Sequence, residues 1–299
     1  MSDKPEFGGI VTALLTPFDN NEKMDAHALA ALVDFQVLQG VHGLYVGGST
    51  GEALAQSVPG RDRCLEIVAD ANAGRLPLIA HVGAISTADA LHLSERAAVH
   101  GYAAISAIPP FYYPFSSSEI IAHYEAIARD SALPLIVYNF PARTRGLSTE
   151  ELVELLSKPG IVGVKHTSPD LFAMERVLRL KPGAIVFNGY DEMCLGGLAM
   201  GASGAIGTTY NFMGDLFVEL FTLVNAGKLE EARVLQRLAN DIIDQIIRFG
   251  VIPSAKAILE SLGVRMGAAR RPFRVLSADE KEILSKAVDA LLNWRDRSR

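Results

Sequence analysis

Short apolar runs rich in β-branched residues alternate with helical stretches along most of this chain, and this alternation limits the fold to a few architectures. The strand-like runs fall at 9–15, 43–46, 78–82, 102–108, 135–139, 161–168, 184–188 and 204–207. Helical periodicity fills the intervals, at 25–39, 59–73, 87–100, 118–129, 148–157, 171–180 and 215–225, with a further helix after 189–192. Thr87 is placed to cap one helix, and Ser148 with Glu151 has the form of a capping box for another. Repeated strand-then-helix units predict a parallel sheet with right-handed crossovers. A doubly wound sheet and a closed barrel both satisfy that pattern. Eight evenly spaced units favour the barrel, a TIM (β/α)8 fold. After residue 225 only helical periodicity remains, at 229–248, 254–262 and 278–295. The expected organisation is a catalytic barrel over 1–225 and a C-terminal helical extension over 226–299, packed on it.

Composition matters here for what it excludes. A net charge of -6 offers no basic footprint for nucleic acid or an anionic membrane surface. The start of the chain is polar, and no apolar run reaches the length of a membrane span. Cys64 and Cys194 are far apart and are the only two cysteines, so a disulfide framework or metal cluster is not expected. A reduced, cytoplasmic enzyme or binding protein is the natural class. The run at 47–51 (GGSTG) matches neither a dinucleotide-binding turn nor a phosphate-binding loop.

In such a barrel, catalytic groups gather at the carboxyl ends of the strands. Ser49 and Thr50 follow the second strand, Tyr112 the fourth, and Tyr138 ends the fifth. Lys165 and Thr167 end the sixth, Asp191 and Glu192 follow the seventh, and Thr208 follows the eighth. Each has a bland reading: a turn for Ser49-Thr50, a satisfied core aromatic for Tyr138, first-turn helix charge for Asp191-Glu192, interface filler for Tyr112. Lys165 itself reads either as a lysine at the solvated end of its strand or as a desolvated amine with a lowered pKa. Alternation puts Gly163, Lys165 and Thr167 on one side and Val162 and Val164 on the other. If the valines face the helices, Lys165 points into the barrel mouth. An amine there, beside hydroxyls and a tyrosine, has the parts for imine chemistry, with the tyrosine moving the proton. The histidines are scattered, and His81, inside an apolar strand, reads as a satisfied core residue.

The runs 44–53 (LYVGGSTGEA), 80–83 (AHVG), 111–116 (FYYPFS), 188–192 (NGYDE) and 206–211 (IGTTYN), with Tyr138-Asn139 and the Lys165 strand, resemble the dihydrodipicolinate synthase / N-acetylneuraminate lyase family. The resemblance covers essentially the whole chain and is closest to the lyase branch. It implies a pyruvate-handling, Schiff-base (β/α)8 enzyme, commonly a homotetramer, that acts on a small keto acid with no metal or organic cofactor. It implies that Lys165 forms the imine and Tyr138 is the general acid/base. Ser49 and Thr50 would hold the pyruvate carboxylate, and Tyr112 would complete the hydroxyl network from a neighbouring subunit. Thr167, Gly189, Asp191, Glu192 and Thr208 would line the pocket for a polyol tail. The activity implied is reversible cleavage of N-acetylneuraminate to N-acetylmannosamine and pyruvate. Two features depart from the lyase pattern. Thr208 stands where a serine is expected, keeping the hydroxyl. Arg143, in Pro141-Ala142-Arg143-Thr144, stands where an apolar residue is expected and resembles the synthase branch, where the matching arginine binds a carboxylate. The tail 252–256 (IPSAK) also follows the general family pattern. A 2-keto-3-deoxy sugar acid aldolase or dehydratase, dihydrodipicolinate synthase, and a catalytically silent binding protein are the alternatives.

Overall fold

The computed structural model describes residues 7–298. Eight parallel strands close into a barrel in chain order: β1 (Gly9–Ala13), β2 (Gly43–Val46), β3 (Leu78–His81), β4 (Ala104–Ala107), β5 (Leu135–Asn139), β6 (Ile161–His166), β7 (Ile185–Asn188) and β8 (Gly204–Gly207). Each strand leads to a helix: α1 (Ala26–Leu38), α2 (Val58–Asn72), α3 (Thr87–Val99), α4 (Ser117–Asp130), α5 (Thr149–Leu155), α6 (Leu171–Leu180), α7 (Cys194–Ala199) and α8 (Tyr210–Asn225). Four more helices follow: α9 (Leu229–Phe249), α10 (Val251–Ser261), α11 (Ala278–Ala287) and α12 (Asp289–Ser298). No helix among the described residues is long and apolar enough to cross a membrane.

The strands divide two cores by alternation. Leu44, Val46, Leu135, Val137 and Val186 point outward into the layer beneath the helices. Tyr45, Ile136, Tyr138 and Phe187 point inward and fill the barrel with Val11, Ala13, Ile79 and Ile206. β6 breaks strict alternation. Leu135 pairs with Ile161, but Ile136 pairs with Gly163, so β6 carries an extra residue there, a bulge. Val162 therefore packs on the inner cluster and only Val164 joins the outer layer. The expectation that both valines face the helices holds for one. The pairing is regular from Gly163 onward, and Lys165 still faces inward.

Other boundaries shift for local reasons. The Ser148/Glu151 capping box opens α5 as predicted. Ser86, not Thr87, caps α3, and Thr87 Oγ1 instead bonds His123 Nδ1 at 2.8 Å. The first strand stops at Ala13, because the Leu15 N–H donates to Asn211 Oδ1. α8 begins at Tyr210, earlier than predicted, with a bend at Met213 (φ -120°, ψ 25°). The single helix predicted over 278–295 is two, parted at Val288.

α9 carries buried Ala232, Leu235, Ala239, Ile242, Ile243 and Ile246 at helical spacing, one apolar stripe facing the body of the protein. These residues belong to the same cluster as the outer barrel layer. Each buried leucine or isoleucine contributes roughly 2 kcal/mol of transfer free energy. That attachment has a consequence at the barrel mouth, because α9 also reaches the turn after β7.

Candidate active site

Lys165 is 4% exposed. Its Nζ lies 4.2 Å from the Tyr45 ring centroid and 4.3 Å from that of Tyr138. The rings attract an ammonium, but they also exclude the water that would solvate it. Desolvation wins: burial pushes the amine down to about 7, resisted by the charge of Asp191. A neutral, nucleophilic amine is therefore well populated near neutrality.

Tyr138 comes from β5, directly paired with Lys165 on β6. Its ring stacks on Phe140 at 5.8 Å and meets Tyr45 and His81 edge-on. Burial pushes the phenol up to about 12, while the Ser49 and Thr167 hydroxyls favour its ionised form. Thr167 Oγ1 is buried and near enough to the phenol to favour its anion, without completing a hydrogen bond at this geometry. A Cβ on Gly189 would overlap Thr167, so only glycine fits there. Thr50 Oγ1 and Thr208 Oγ1 lie 2.7 Å apart, joining the ends of β2 and β8.

Asp191 is buried, and its Oδ2 accepts both the N–H and the hydroxyl of Thr209 at 2.7 Å. Burial pushes its carboxyl up to about 6. A Cβ on Gly207 would overlap Asp191 Oδ1, so the carboxylate sits where β8 offers no side chain. The turn is held from α9: Gln236 Nε2 donates to Asp191 O at 3.0 Å and Asn240 Nδ2 to Glu192 O at 3.2 Å. Glu192 is half-buried.

The structure thus brings together Lys165, Tyr138, Ser49, Thr167, Gly189 and Asp191, with Thr50, Thr208 and Glu192 on the same rim. Tyr112 is not brought in. It is 85% exposed and holds a left-handed backbone (φ 77°), a strained state for a tyrosine. With Arg143 it lines a cavity of about 580 Å³ between the loops after β4 and β5. Phe111 lines that cavity and also packs on the inner barrel cluster. Arg143 is exposed. Desolvation and the charge of Glu192 push Tyr190 up, opposed by the charge of Arg143, and the Tyr190 ring meets Phe140 edge-on at 6.2 Å. Aromatic contacts therefore lead from Tyr138 through Phe140 to Tyr190.

Tyr45, Thr209, Gln236 and Asn240 were not singled out from the sequence. Tyr45 had a signal, since alternation in β2 turns it inward. The others had none. His81 is a satisfied core residue as read: its ring bonds Gly47 O at 3.0 Å and the Ile108 N–H at 3.3 Å, and burial holds it neutral, well below its usual pKa. Among the described residues no group of three or more His, Cys, Asp or Glu side chains is placed to hold a metal.

A closed barrel with a desolvated amine between two tyrosine rings at its mouth has the layout of a Schiff-base aldolase. The dihydrodipicolinate synthetase family model matches residues 6–291, and the chain belongs to that family. It is 59% identical over 288 residues to the N-acetylneuraminate lyase of Rhizobium meliloti, covering 96% of each chain. Among solved structures it superposes on the Ruminococcus gnavus sialic acid aldolase with a TM-score of 0.94 at 32% identity, covering 98% of this chain and 99% of that one. It also superposes on the Clostridium difficile protein CdNal, solved in complex with mannosamine, with a TM-score of 0.92 at 34% identity, covering 94% and 98%.

Proposed function

We propose that this protein cleaves N-acetylneuraminate reversibly to N-acetylmannosamine and pyruvate through an imine on Lys165. The observation that carries the reading is the Lys165 amine, held near pKa 7 against the Tyr138 ring. The neutral amine adds to the keto carbon of the open-chain acid, and loss of water leaves a protonated imine. Tyr138 takes the proton of the C4 hydroxyl, the C3–C4 bond breaks, and its electron pair passes into the imine to give an enamine and the free aldehyde. Protonation of the enamine and hydrolysis release pyruvate and restore the amine. A resting phenol near 12 is a poor base. The iminium replaces a neutral amine with a fixed cation beside the ring, and that charge favours the phenolate when it is needed.

Ser49 and Thr50 receive the carboxylate of the pyruvate half. Thr167, Gly189, Asp191, Glu192 and Thr208 face the polyol half, whose hydroxyls need acceptors. Tyr112, exposed and strained, completes the hydroxyl network of a second copy, and the assembly is a homotetramer working in the cytoplasm without metal or organic cofactor. The helices from residue 226 onward form a region packed on the 1–225 barrel. The 59% identity to a protein named N-acetylneuraminate lyase supports this substrate.

Borohydride reduction in the presence of pyruvate is expected to add a pyruvyl mass to the peptide holding Lys165; no adduct, or one elsewhere, overturns the imine. Turnover of sialic acid in a panel with 2-keto-3-deoxy sugar acids, and aspartate semialdehyde plus pyruvate, tests the substrate. A second reading, an acidic second substrate, is favoured by the exposed Arg143 at the cavity. An arginine there suits a carboxylate. Arg143→Leu is expected to lower activity on acidic second substrates by about tenfold or more while sialic acid cleavage is kept. The opposite pattern would mean that Arg143 serves sialic acid itself.

The pH dependence follows from the lysine. Below about 7 Lys165 becomes an ammonium, so the rate of pyruvate trapping is expected to fall about tenfold per pH unit there and to level off above it. Asp191, pushed up to about 6, loses its charge over the same descent. A trapping rate flat through neutrality would show that the amine is not the group titrating.

A further inference from the structure

Among the described ion pairs, one has both side chains wholly buried, and it lies behind the Ser49-Thr50 loop. Glu52 Oε1 is 2.6 Å from Lys256 Nζ, with side-chain exposures of 0% and 2%. Glu52 Oε2 accepts the Arg270 N–H at 2.7 Å. Lys256, on α10, also donates to Ala268 O at 3.3 Å and stands 4.5 Å over the Phe18 ring. Glu52 has a left-handed backbone (φ 57°, ψ 33°). Its N–H donates to Ser49 O at 3.1 Å, closing the turn that carries Ser49 and Thr50.

A buried ion pair is a weak source of stability, because both charges lose their water. Its effect here is local. Glu52 is two residues from Thr50, so an uncancelled carboxylate there would repel any anion held by Ser49 and Thr50. We propose that Lys256 acts on the substrate's carboxylate through charge: it cancels Glu52 behind the turn that presents Ser49 and Thr50. The C-terminal helices thereby contribute to the affinity of the barrel for an anionic substrate. The inference rests on the proposed function, in which Ser49 and Thr50 receive the pyruvate carboxylate.

The test is borohydride trapping titrated with pyruvate, on full-length wild type, Lys256→Met, Glu52→Gln and the double variant. Lys256→Met removes the cation paired with Glu52 Oε1 and keeps the Arg270 N–H on Oε2. The pyruvate concentration for half-maximal trapping is then expected to rise about tenfold or more, with the limiting rate changed far less. Glu52→Gln is expected to leave that concentration unchanged or lower it, and the double variant to return it to within about threefold of wild type. A role confined to packing would weaken both single variants alike. Equal weakening, or a double variant as weak as Lys256→Met, overturns the proposal. If Lys256→Met does not fold, a raised half-saturation in Glu52→Gln does so alone. A wild type that traps no pyruvate overturns the functional reading and takes this proposal with it.

Discussion

Lys165→Met is expected to cut turnover by at least about 10³-fold, equivalent to about 4 kcal/mol of transition-state stabilisation, and to abolish borohydride trapping. Methionine matches the length of lysine and keeps the contact with both rings, so only the amine is lost. The same replacement is expected to leave the melting temperature equal to wild type or raise it. The folded amine titrates near 7, well below its ordinary value of 10.5. Between those values the unfolded chain binds one more proton than the folded one, so wild-type stability rises with pH across that window. The amine therefore costs stability at neutral pH, and the methionine variant loses both the cost and that pH slope. Melting curves across the window, alongside kinetics, check the pair of expectations. An active Lys165→Met protein would remove the imine from the mechanism. A variant markedly less stable than wild type would mean that the attraction of Asp191 for the ammonium outweighs its desolvation.

Tyr138→Phe is expected to lower kcat by about 10²- to 10⁴-fold, the range of a positioned general acid/base. The ring stays, with its stacking on Phe140 and its contact with the lysine. Imine formation with pyruvate should therefore survive while carbon–carbon cleavage fails. Trapping and turnover, measured on the same preparation, separate the two steps. A turnover within tenfold of wild type would assign the proton to another group, with the Ser49 and Thr167 hydroxyls beside the phenol as candidates.

Replacing either residue tests a site that was partly legible from residues alone. Strand and helix differ in the period of their apolar residues, and a period is read from neighbours in the chain. Lys165, Tyr138 and Thr208 end apolar runs, and so fall on one rim of any parallel barrel. The bulge at Val162 arises from pairing with β5, and its one mark in the run Ile161-Val162-Gly163-Val164, the glycine inside the strand, was not read as such. The break at Val288 was missed because the apolar period continues through it, and the first turn of α8, before the bend at Met213, lay outside the helix predicted from 215.

The succession of strands and helices and the placement of the polar residues after the strands are legible in the chain, since each depends on local periodicity. Eight even units favoured a barrel over a doubly wound sheet, and the pairing of β1 with β8 closes it. The state of the lysine is not legible in the chain. Its neighbours Tyr45, Tyr138 and Asp191 arrive from β2, β5 and the turn after β7, and desolvation depends on what surrounds an atom, whatever its distance in the chain. The same holds for Thr50 against Thr208, 158 residues apart, for Gln236 beneath Asp191, and for Lys256 beneath the loop that carries Ser49. The sequence determined that a lysine would stand at the end of the sixth strand; the tertiary structure decided that it would be dry, flanked by aromatic rings, and close to neutral.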